Sequence, residues 1–469
     1  MSRTSSIASL RTLAAGVAIL ALGGCASFSK DGGLDAVSAM TAERTGQDLR
    51  LPGAGAGTVQ AELDRLLEGP VSADGAVRAA LLNNRGLRAS LAGLGVAEAD
   101  LVQAGRMANP GFGFSRLSGA GETEIERSVI FDLVGLLTIP LRREIEGRRF
   151  ESAKLVAATQ AVRLAADTRR AWFNAVAAGQ SARYAEQVRE AAAASSELAR
   201  RMARVGNLSA LDQAREQAFA AEAATQLARA RHDATAAREQ LARLMGVWGA
   251  HAAFTLPDRL PDLPAAPREA ANMESLAMRQ RLDIRLAKLD AESTARALGL
   301  TKATGFVNVL EAGYVNSSKS GSPREDGYEI ELSLPIFDWG GARVAKAQAT
   351  YMQTVHRAAD AATVARSQVR EAYSAYRTSY DVARSYRDDI VPLRKKISEE
   401  SLLRYNGMLV SVFELLADAR AQIAGVNAAI GAQRDYWLAE TDLQAAVSGS
   451  GASPAPRTAT AAAAAAPAH

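Results

Sequence analysis

The residues that perform chemistry in enzymes are few here and lack the necessary spacing. The four histidines match no zinc-binding pattern; they are His232, His251, His356 and His469. No nucleophile elbow is present, and the Gly-Ala-Arg-Val-Ala-Lys segment that begins at Gly341 lacks the spacing of a phosphate-binding loop. The sequence therefore predicts no catalytic centre, no metal site and no cofactor, and hence a protein that is not an enzyme.

The single cysteine excludes an intrachain disulfide, and its position suggests another role. An apolar run over residues 12–22, too short to span a bilayer, ends in Leu-Gly-Gly-Cys25. This ending resembles the bacterial lipobox and predicts a signal peptide over residues 1–24 with lipidation of Cys25. Ala26, where an aspartate would favour the inner membrane, favours the outer membrane. The alternative is an ordinary signal peptide with an incidental cysteine.

Composition favours long helices packed through small side chains. Of the 469 residues 48% are hydrophobic but only 5% are aromatic, and alanine and leucine supply most of the apolar content. The net charge is +4, from 55 basic and 51 acidic residues, and the basic residues form no long block. The sequence therefore predicts that the protein does not bind nucleic acids.

The chain repeats one order of elements twice, with a period of about 190 residues. Each repeat contains a helix, two extended segments, a long helix, a turn and a further helix. The predicted domains are a signal peptide (1–24), a weakly patterned tether (25–71), the first repeat (72–255), a Pro-rich linker (256–268), the second repeat (269–447) and a disordered Ala/Pro-rich tail (448–469).

Hydrophobic periodicity and breakers give the element bounds within these repeats. The first repeat is predicted as helix 72–105, extended segments 111–118 and 124–139, a helix from Pro140 to 205 and a helix to Met245. The second is predicted as helix 269–302, extended segments 304–318 and 327–337, a helix over 341–405 and a last helix to 447. Pro140 and Pro335 are expected where a strand gives way to a helix.

The extended segments decide the predicted architecture. Residues 328–334 alternate strictly between apolar and polar side chains, which predicts a strand with one apolar face. In lipid only a closed barrel leaves no strand edge unpaired, and about eight strands is the smallest closed barrel. Four strands from one chain cannot close one, so several copies would have to share it. The alternative is two hairpins that each pack on helices of the same chain.

Several motifs together resemble one known family, the outer-membrane efflux proteins or TolC-like channels, and in particular its lipoprotein branch. The resemblance covers roughly residues 75–447. It rests on Leu-Ser-Leu-Pro-Ile-Phe-Asp-Trp-Gly-Gly over residues 332–341, on the turn segments at 205–212 and 405–414, and on the duplicated order of elements.

The resemblance implies a mainly helical fold with β-hairpins, assembled as a homotrimer. In that family twelve strands, four per chain, form an outer-membrane barrel that continues into a periplasmic barrel of twelve helices. The implied function is a passive exit channel for drugs, metal ions or other small molecules. An inner-membrane pump delivers these through a periplasmic adaptor protein.

The resemblance also assigns roles to residues near the two turns. The periplasmic tips that dock the adaptor would be formed by Gly206, Leu208, Leu211, Gly407, Leu409 and Val412. Glycine suits a turn that requires positive φ. The channel constriction would be lined by Glu414, Asp418 and Asp212. Simple helical turns without a partner, and a solvated acidic helix face, remain open as alternatives.

A second functional hypothesis is a lipid-anchored periplasmic adaptor or coiled-coil scaffold. An adaptor carries one helical hairpin inserted in a lipoyl-like β domain. This sequence predicts two hairpins and no such domain, which favours the channel.

Overall fold

The computed structural model describes residues 27–49, 56–119, 122–269, 272–303, 310–332, 337 and 339–450. Within them the chain forms two compact units. Unit 1 contains the described parts of 1–37, 89–158 and 283–362, and unit 2 contains those of 38–88, 159–282 and 363–469. The predicted signal peptide, Cys25, Pro335 and the tail beyond residue 450 lie outside the described residues.

Helices dominate the chain, as predicted. In chain order they are α1 (Leu34–Thr45), α2 (Ala56–Leu67), α3 (Ala73–Asn83), α4 (Arg85–Ala104), α5 (Leu133–Arg204), α6 (Ala210–Met245), α7 (Met273–Gln280), α8 (Leu282–Ala303), α9 (Gly341–Ser385), α10 (Val391–Asn406) and α11 (Val412–Ser448). Among the described residues, no helix has a stretch sufficiently long and apolar to cross a bilayer.

The strands form one four-stranded antiparallel sheet in unit 1. The strands are β1 (Gly111–Gly119), β2 (Glu122–Asp132), β3 (Leu310–Lys319) and β4 (Glu325–Leu332), and they lie in this order. The two predicted hairpins are therefore joined edge to edge by pairing of β2 with β3. This pairing could not be predicted from local sequence, because β2 and β3 belong to different repeats and lie far apart in the chain.

The predicted strand over 124–139 is wrong beyond residue 132, because α5 already begins at Leu133. The carboxylate of Asp132 accepts a hydrogen bond from Gly135 N at 2.7 Å and so caps the first turn of α5. Leu133, Leu136 and Leu137 have the i, i+3, i+4 spacing of a helix face. Pro140 consequently lies inside α5 and not at the junction between strand and helix.

The segment 25–71, predicted as a weakly patterned tether, contains the helices α1 and α2. In unit 2, Val59 and Leu63 of α2 are buried in the same apolar cluster as Val71. Arg44 at the end of α1 donates to the carbonyl oxygen of Gln280 at 2.7 Å. Burial of one face thus orders a segment whose sequence pattern is weak.

Two helices that the sequence predicts as continuous are interrupted at equivalent places of the repeats. Asn84 separates α3 from α4, and its side-chain oxygen accepts from Leu87 N at 3.0 Å while its amide donates to the carbonyl of Leu244. Arg281 separates α7 from α8, and its buried guanidinium donates to the carbonyl of Ala446 at 2.8 Å. Asn84 thus caps the first turn of α4, whereas Arg281 binds a carbonyl in the last turn of α11.

Aromatic side chains fill the core of unit 2. Trp172 donates from Nε1 to the carbonyl of Val71 at 2.7 Å, and Phe173 stacks on Trp437 with ring centroids 5.3 Å apart. Tyr376, Tyr380 and Tyr436 form a second buried aromatic group. Tyr373 and Trp437 are partly buried and pack against this group. Residues 256–268 of the Pro-rich linker contain no helix or strand.

Candidate functional site

The sheet of unit 1 has one apolar face, which the strand register creates. Phe112 pairs with Val129, Val129 with Tyr314, and Tyr314 with Tyr328. Directly paired residues of antiparallel strands point to the same side, so this row of four side chains lies on one face. Residues at every second position share that face. Its further apolar members are Phe114, Ile125, Phe131, Leu310, Ala312, Ile330 and Leu332, whereas Arg116, Arg127, Asn316 and Asp326 lie on it toward the hairpin turns.

The opposite face of the sheet is polar and acidic. Asp132 pairs with Glu311, which pairs with Glu331, so three carboxylates form one row. The other polar members of this face are Ser115, Glu122, Glu124, Glu126, Ser128, Ser317, Lys319, Glu325 and Glu329. The alternation along each strand thus separates a mainly apolar face from an acidic one.

The apolar face is exposed in the isolated chain. Tyr328 is 85% exposed, Phe112 71% and Ile330 63%. Every residue of β4 is exposed. β1 and β4 are the outer strands, and each is paired on one side only among the described residues. A contiguous exposed apolar surface of this kind marks contact with protein or membrane, and two open edges can each accept a further strand.

The second candidate site comprises the two helical turns of unit 2. After α5, Gly206 has a φ of +77°, and after α10 the residue in the left-handed region is Met408, with a φ of +58°. Asn207 N donates to the carbonyl of Met202 at 2.9 Å, and Leu409 N donates to that of Arg404 at 2.8 Å. Both turns therefore end their helix with the same hydrogen-bond pattern.

This geometry corrects the predicted role of Gly407, whose φ is −82°. The structural equivalent of Gly206 is Met408, one residue beyond the predicted glycine. Glycine is favoured at such a position because it has no Cβ, but a methionine occupies it here at a small strain cost.

With this alignment the helices after the turns match residue for residue. Ser209 caps α6 by accepting from Asp212 N at 3.1 Å, and Ser411 caps α11 by accepting from Glu414 N at 3.3 Å. Asp212 also forms an ion pair with Arg215 at 3.2 Å. Two of the predicted constriction residues therefore occupy the first turn of a helix, where a carboxylate is electrostatically favourable.

The predicted docking residues divide into two groups. Leu211 and Leu409 are exposed, at 61% and 77%. Leu208 and Val412 are half-buried and line a common cavity of about 30 Å³, together with Leu416. The first pair is available to a partner, whereas the second pair holds the two turns together.

Two exposed apolar residues at the turns escaped sequence reasoning. Val205 is 70% exposed and Met408 is 93% exposed. Val205 belongs to the turn segment 205–212, whose sequence indicated the position of the first turn but not the exposure of this side chain. Met408 follows the landmark glycine, and only its backbone conformation shows that it forms the apex.

The third predicted constriction residue, Asp418, contacts a neighbouring helix. Its carboxylate accepts a hydrogen bond from Ser401 Oγ of α10, and the Ser401 residue is buried. Glu414 is exposed, whereas Asp212 and Asp418 are half-buried. Near the first turn, a hydrogen bond from Arg201 and the charge of Arg200 lower the pKa of the exposed Glu197.

Within the described part of the chain, no three histidine, cysteine, aspartate or glutamate side chains form a group that could hold a metal ion.

The fold that these surfaces belong to is that of bacterial outer-membrane channels. Three solved structures share it. They are the Campylobacter jejuni CmeC outer membrane channel (16% identity, TM-score 0.71, 81% of this chain and 86% of that one), the Vibrio cholerae outer membrane protein VceC (14%, 0.67, 85% and 99%), and the open state of the Neisseria gonorrhoeae MtrE outer membrane channel (18%, 0.65, 80% and 88%).

No family model matches the sequence, and no curated protein matches it. The resemblance to the TolC-like outer-membrane proteins is confirmed by the fold, which this chain shares over most of its length with these structures. They are structures of channels and of an outer-membrane protein, not of enzymes.

Proposed function

We propose that this chain is one subunit of a trimeric outer-membrane channel, through which an efflux system expels drugs, metal ions or other small molecules. The observation that carries the proposal is the amphipathic sheet with an exposed apolar face and two open edges. In lipid such a sheet must close on further strands. Three copies supply twelve strands, an even number within the range of outer-membrane barrels.

In this trimer the apolar face contacts lipid and the acidic face lines the aqueous interior. The row of Asp132, Glu311 and Glu331 then lies at the end of the barrel that adjoins the helices. Alternation of lipid-facing apolar and interior polar residues is the pattern of membrane barrels.

Bilayer recording and crosslinking test this proposal directly. Purified full-length protein is expected to migrate as a trimer in mild detergent and to form ion-conducting pores in planar lipid bilayers. The trimer is expected to crosslink through cysteines introduced at facing positions of β1 and β4. A monomer without pore activity would reject the channel.

The turns of unit 2 are proposed to dock a periplasmic adaptor protein that connects the channel to an inner-membrane pump. The exposed side chains Val205, Leu211, Met408 and Leu409 support this, because they offer apolar contacts at neighbouring turns. Gly206 and Gly407 would shape the turns, and Leu208 and Val412 would position them. Leu409→Asp is expected to weaken adaptor binding and to leave the trimer intact, and unchanged binding would remove this role.

Glu414, Asp418 and Asp212 are proposed to form the narrow mouth of the channel. Threefold symmetry would repeat each carboxylate as a ring, and a ring of like charges attracts cations. Neutralising Glu414 to Gln should then lower cation preference in bilayer recordings, and an unchanged reversal potential would exclude Glu414 from the constriction.

The lipid anchor at Cys25 is likewise a proposal. It predicts that the mature protein carries acyl chains and partitions into detergent, and that Cys25→Ala abolishes acylation. Mass spectrometry of the N-terminal peptide decides this. A lipid-anchored adaptor remains the second candidate, but the four-stranded sheet favours the channel.

A further inference from the structure

Positively charged residues lie at all four junctions between helices and strands in unit 1. Counted along the chain, each lies within fourteen residues of the nearest strand end. These residues, here called the basic collar, are Arg106 before β1, Arg142 and Arg143 after β2, Lys302 before β3, and Arg343 and Lys346 after β4. They come from both repeats and from separate helices, so chain topology gathers them at one end of the sheet.

The charges of the basic collar are not neutralised by neighbouring carboxylates. All six side chains are exposed, and none has an ion-pair partner among the described residues. The junction segments 104–110, 133–149, 299–303 and 339–350 contain eight cations and only two carboxylates. Those two, Glu144 and Glu146, already pair with Arg148 and Arg149. The strand-end carboxylates Asp132, Glu311 and Glu331 lie on the acidic face of the sheet, so the junction segments themselves keep a net positive charge.

Part of the collar borders a groove between α8 and α9. The groove has a volume of about 310 Å³. Two cations, Arg343 and Lys346, line it together with alanines and with Thr294, Thr301 and Thr350, whose hydroxyls donate to carbonyls of their own helices. Two neighbouring cations beside small apolar side chains suit a phosphate group attached to a glycerol backbone.

Large apolar side chains are exposed between the sheet and the collar. Phe337 is 99% exposed, Leu137 77% and Trp339 67%. Aromatic residues at the edge of an apolar band, with cations next to them, characterise the boundary between membrane and water. A soluble phosphate ligand or an acidic peptide would not require these exposed apolar groups.

We propose that the basic collar binds the headgroups of anionic phospholipids, such as phosphatidylglycerol, in the leaflet that borders the helices. The inference rests on the proposed function, because it requires that the sheet lies in the membrane. Lysine and arginine near an anionic surface attract it with a strength that falls with salt. The collar thereby fixes the depth of the sheet in the bilayer.

Lipid co-purification tests this inference. Full-length protein is reconstituted in nanodiscs of phosphatidylcholine containing phosphatidylglycerol, and the lipids that stay bound are identified by native mass spectrometry. Wild-type protein is expected to retain phosphatidylglycerol selectively. Arg343→Gln with Lys346→Gln should lower this enrichment at least about fivefold, since each cation contributes about that factor at low salt.

A matched control removes two charges elsewhere. Arg229→Gln with Lys396→Gln, at exposed residues of unit 2 that have no ion pair within the described part of the chain, should keep the enrichment unchanged. Equal enrichment in the collar variant, or no enrichment in the wild type, would overturn the inference. Displacement of the lipid by free glycerol 3-phosphate would show a soluble-phosphate site and would also overturn it.

Pore formation is measured on the same samples to separate the two proposals. Normal conductance without phosphatidylglycerol preference removes only the lipid inference. Absence of pores in the wild type rejects the proposed channel itself. A collar variant that keeps its lipid preference but loses adaptor binding would show that the collar is a protein surface, contrary to the inference.

Discussion

Arg420 of α11 and Glu216 of α6 form an ion pair with 3.0 Å between Nη2 and Oε1. The two helices belong to different repeats, and the pair joins them within unit 2. The Glu216 side chain is only 7% exposed and also accepts from Ser195 Oγ at 2.8 Å. The Arg420 guanidinium lies 4.3 Å from the ring centre of Phe219. A nearly buried carboxylate is therefore fully occupied by partners from two helices.

Removal of this carboxylate should loosen α11 near the second turn. Glu216→Ala leaves the Arg420 guanidinium without its partner, which should cost roughly 1–3 kcal/mol. Hydrogen exchange of residues around 412–424 is expected to accelerate. Glu197→Ala, which removes an exposed carboxylate of α5, is the control and should leave α11 unchanged. Equal protection in both variants would show that the pair contributes nothing.

The end of α6 offers a matched pair of glycines. Gly246 has a φ of +69°, and a Cβ there would lie 3.0 Å from the backbone oxygen of Asn83. Gly249 has a φ of +60° but open space around it. Gly249→Ala should therefore cost only the left-handed strain of about 1–2 kcal/mol, and Gly246→Ala should cost clearly more. Denaturant unfolding measures both, and equal losses would contradict the steric argument.

The two turn glycines should also respond differently to substitution. Gly206→Ala places an alanine at φ +77° and should cost about 1 kcal/mol. Gly407→Ala meets an ordinary φ of −82° and only ordinary contacts, so it should be close to neutral. Thermal unfolding of the purified trimer compares them. A larger effect at residue 407 would restore that glycine as the turn apex.

Alkaline pH should destabilise unit 2 through Tyr436. Burial, together with a hydrogen bond to Tyr376, raises the pKa of the Tyr436 phenol. The folded state therefore keeps a proton that the unfolded chain releases above about pH 10. This contribution to stability is complete below pH 10 and is lost as pH rises through the folded pKa. Tyr436→Phe should flatten the decline of melting temperature between about pH 9 and 11, and an unchanged slope would contradict this.

Neighbouring residues of β4 separate the two faces of the sheet. Ile330→Arg places a charge on the apolar face near the helix end of the sheet, where contact with lipid should cost up to about 1 kcal/mol. Glu329→Arg, one residue earlier, changes the charge of the polar face. Ile330→Arg should reduce membrane insertion and trimer yield, whereas Glu329→Arg should retain both and alter ion selectivity. Membrane fractionation and bilayer recording report these outcomes.

Strong local signals made most of the fold predictable. Ser72, a good capping residue, marks the start of α3 as expected, and the breaker at Asn109-Pro110 marks the end of the helical stretch before β1. Where the local sequence signal is weak, the predicted secondary structure was wrong. The apolar run after Asp132 fits both a strand and a helix, and the cap formed by Asp132 decides for the helix.

The site residues show the same division. The position of Leu211 and Leu409 beside the turns could be predicted, because apolar residues next to a glycine turn are visible in sequence. The role of Leu208 and Val412 was not visible, because it depends on a cavity shared by segments two hundred residues apart. Met408 was missed since no side-chain pattern reveals a left-handed backbone.

The sequence by itself determined the duplicated helical elements, the alternating strands and the exposed apolar side chains, because periodicity and breakers act over a few residues. Only the tertiary structure decided that β2 pairs with β3, that Met408 matches Gly206 and that cations from four junctions gather at one end of the sheet. These depend on contacts between segments far apart in the chain, whose geometry no local pattern encodes.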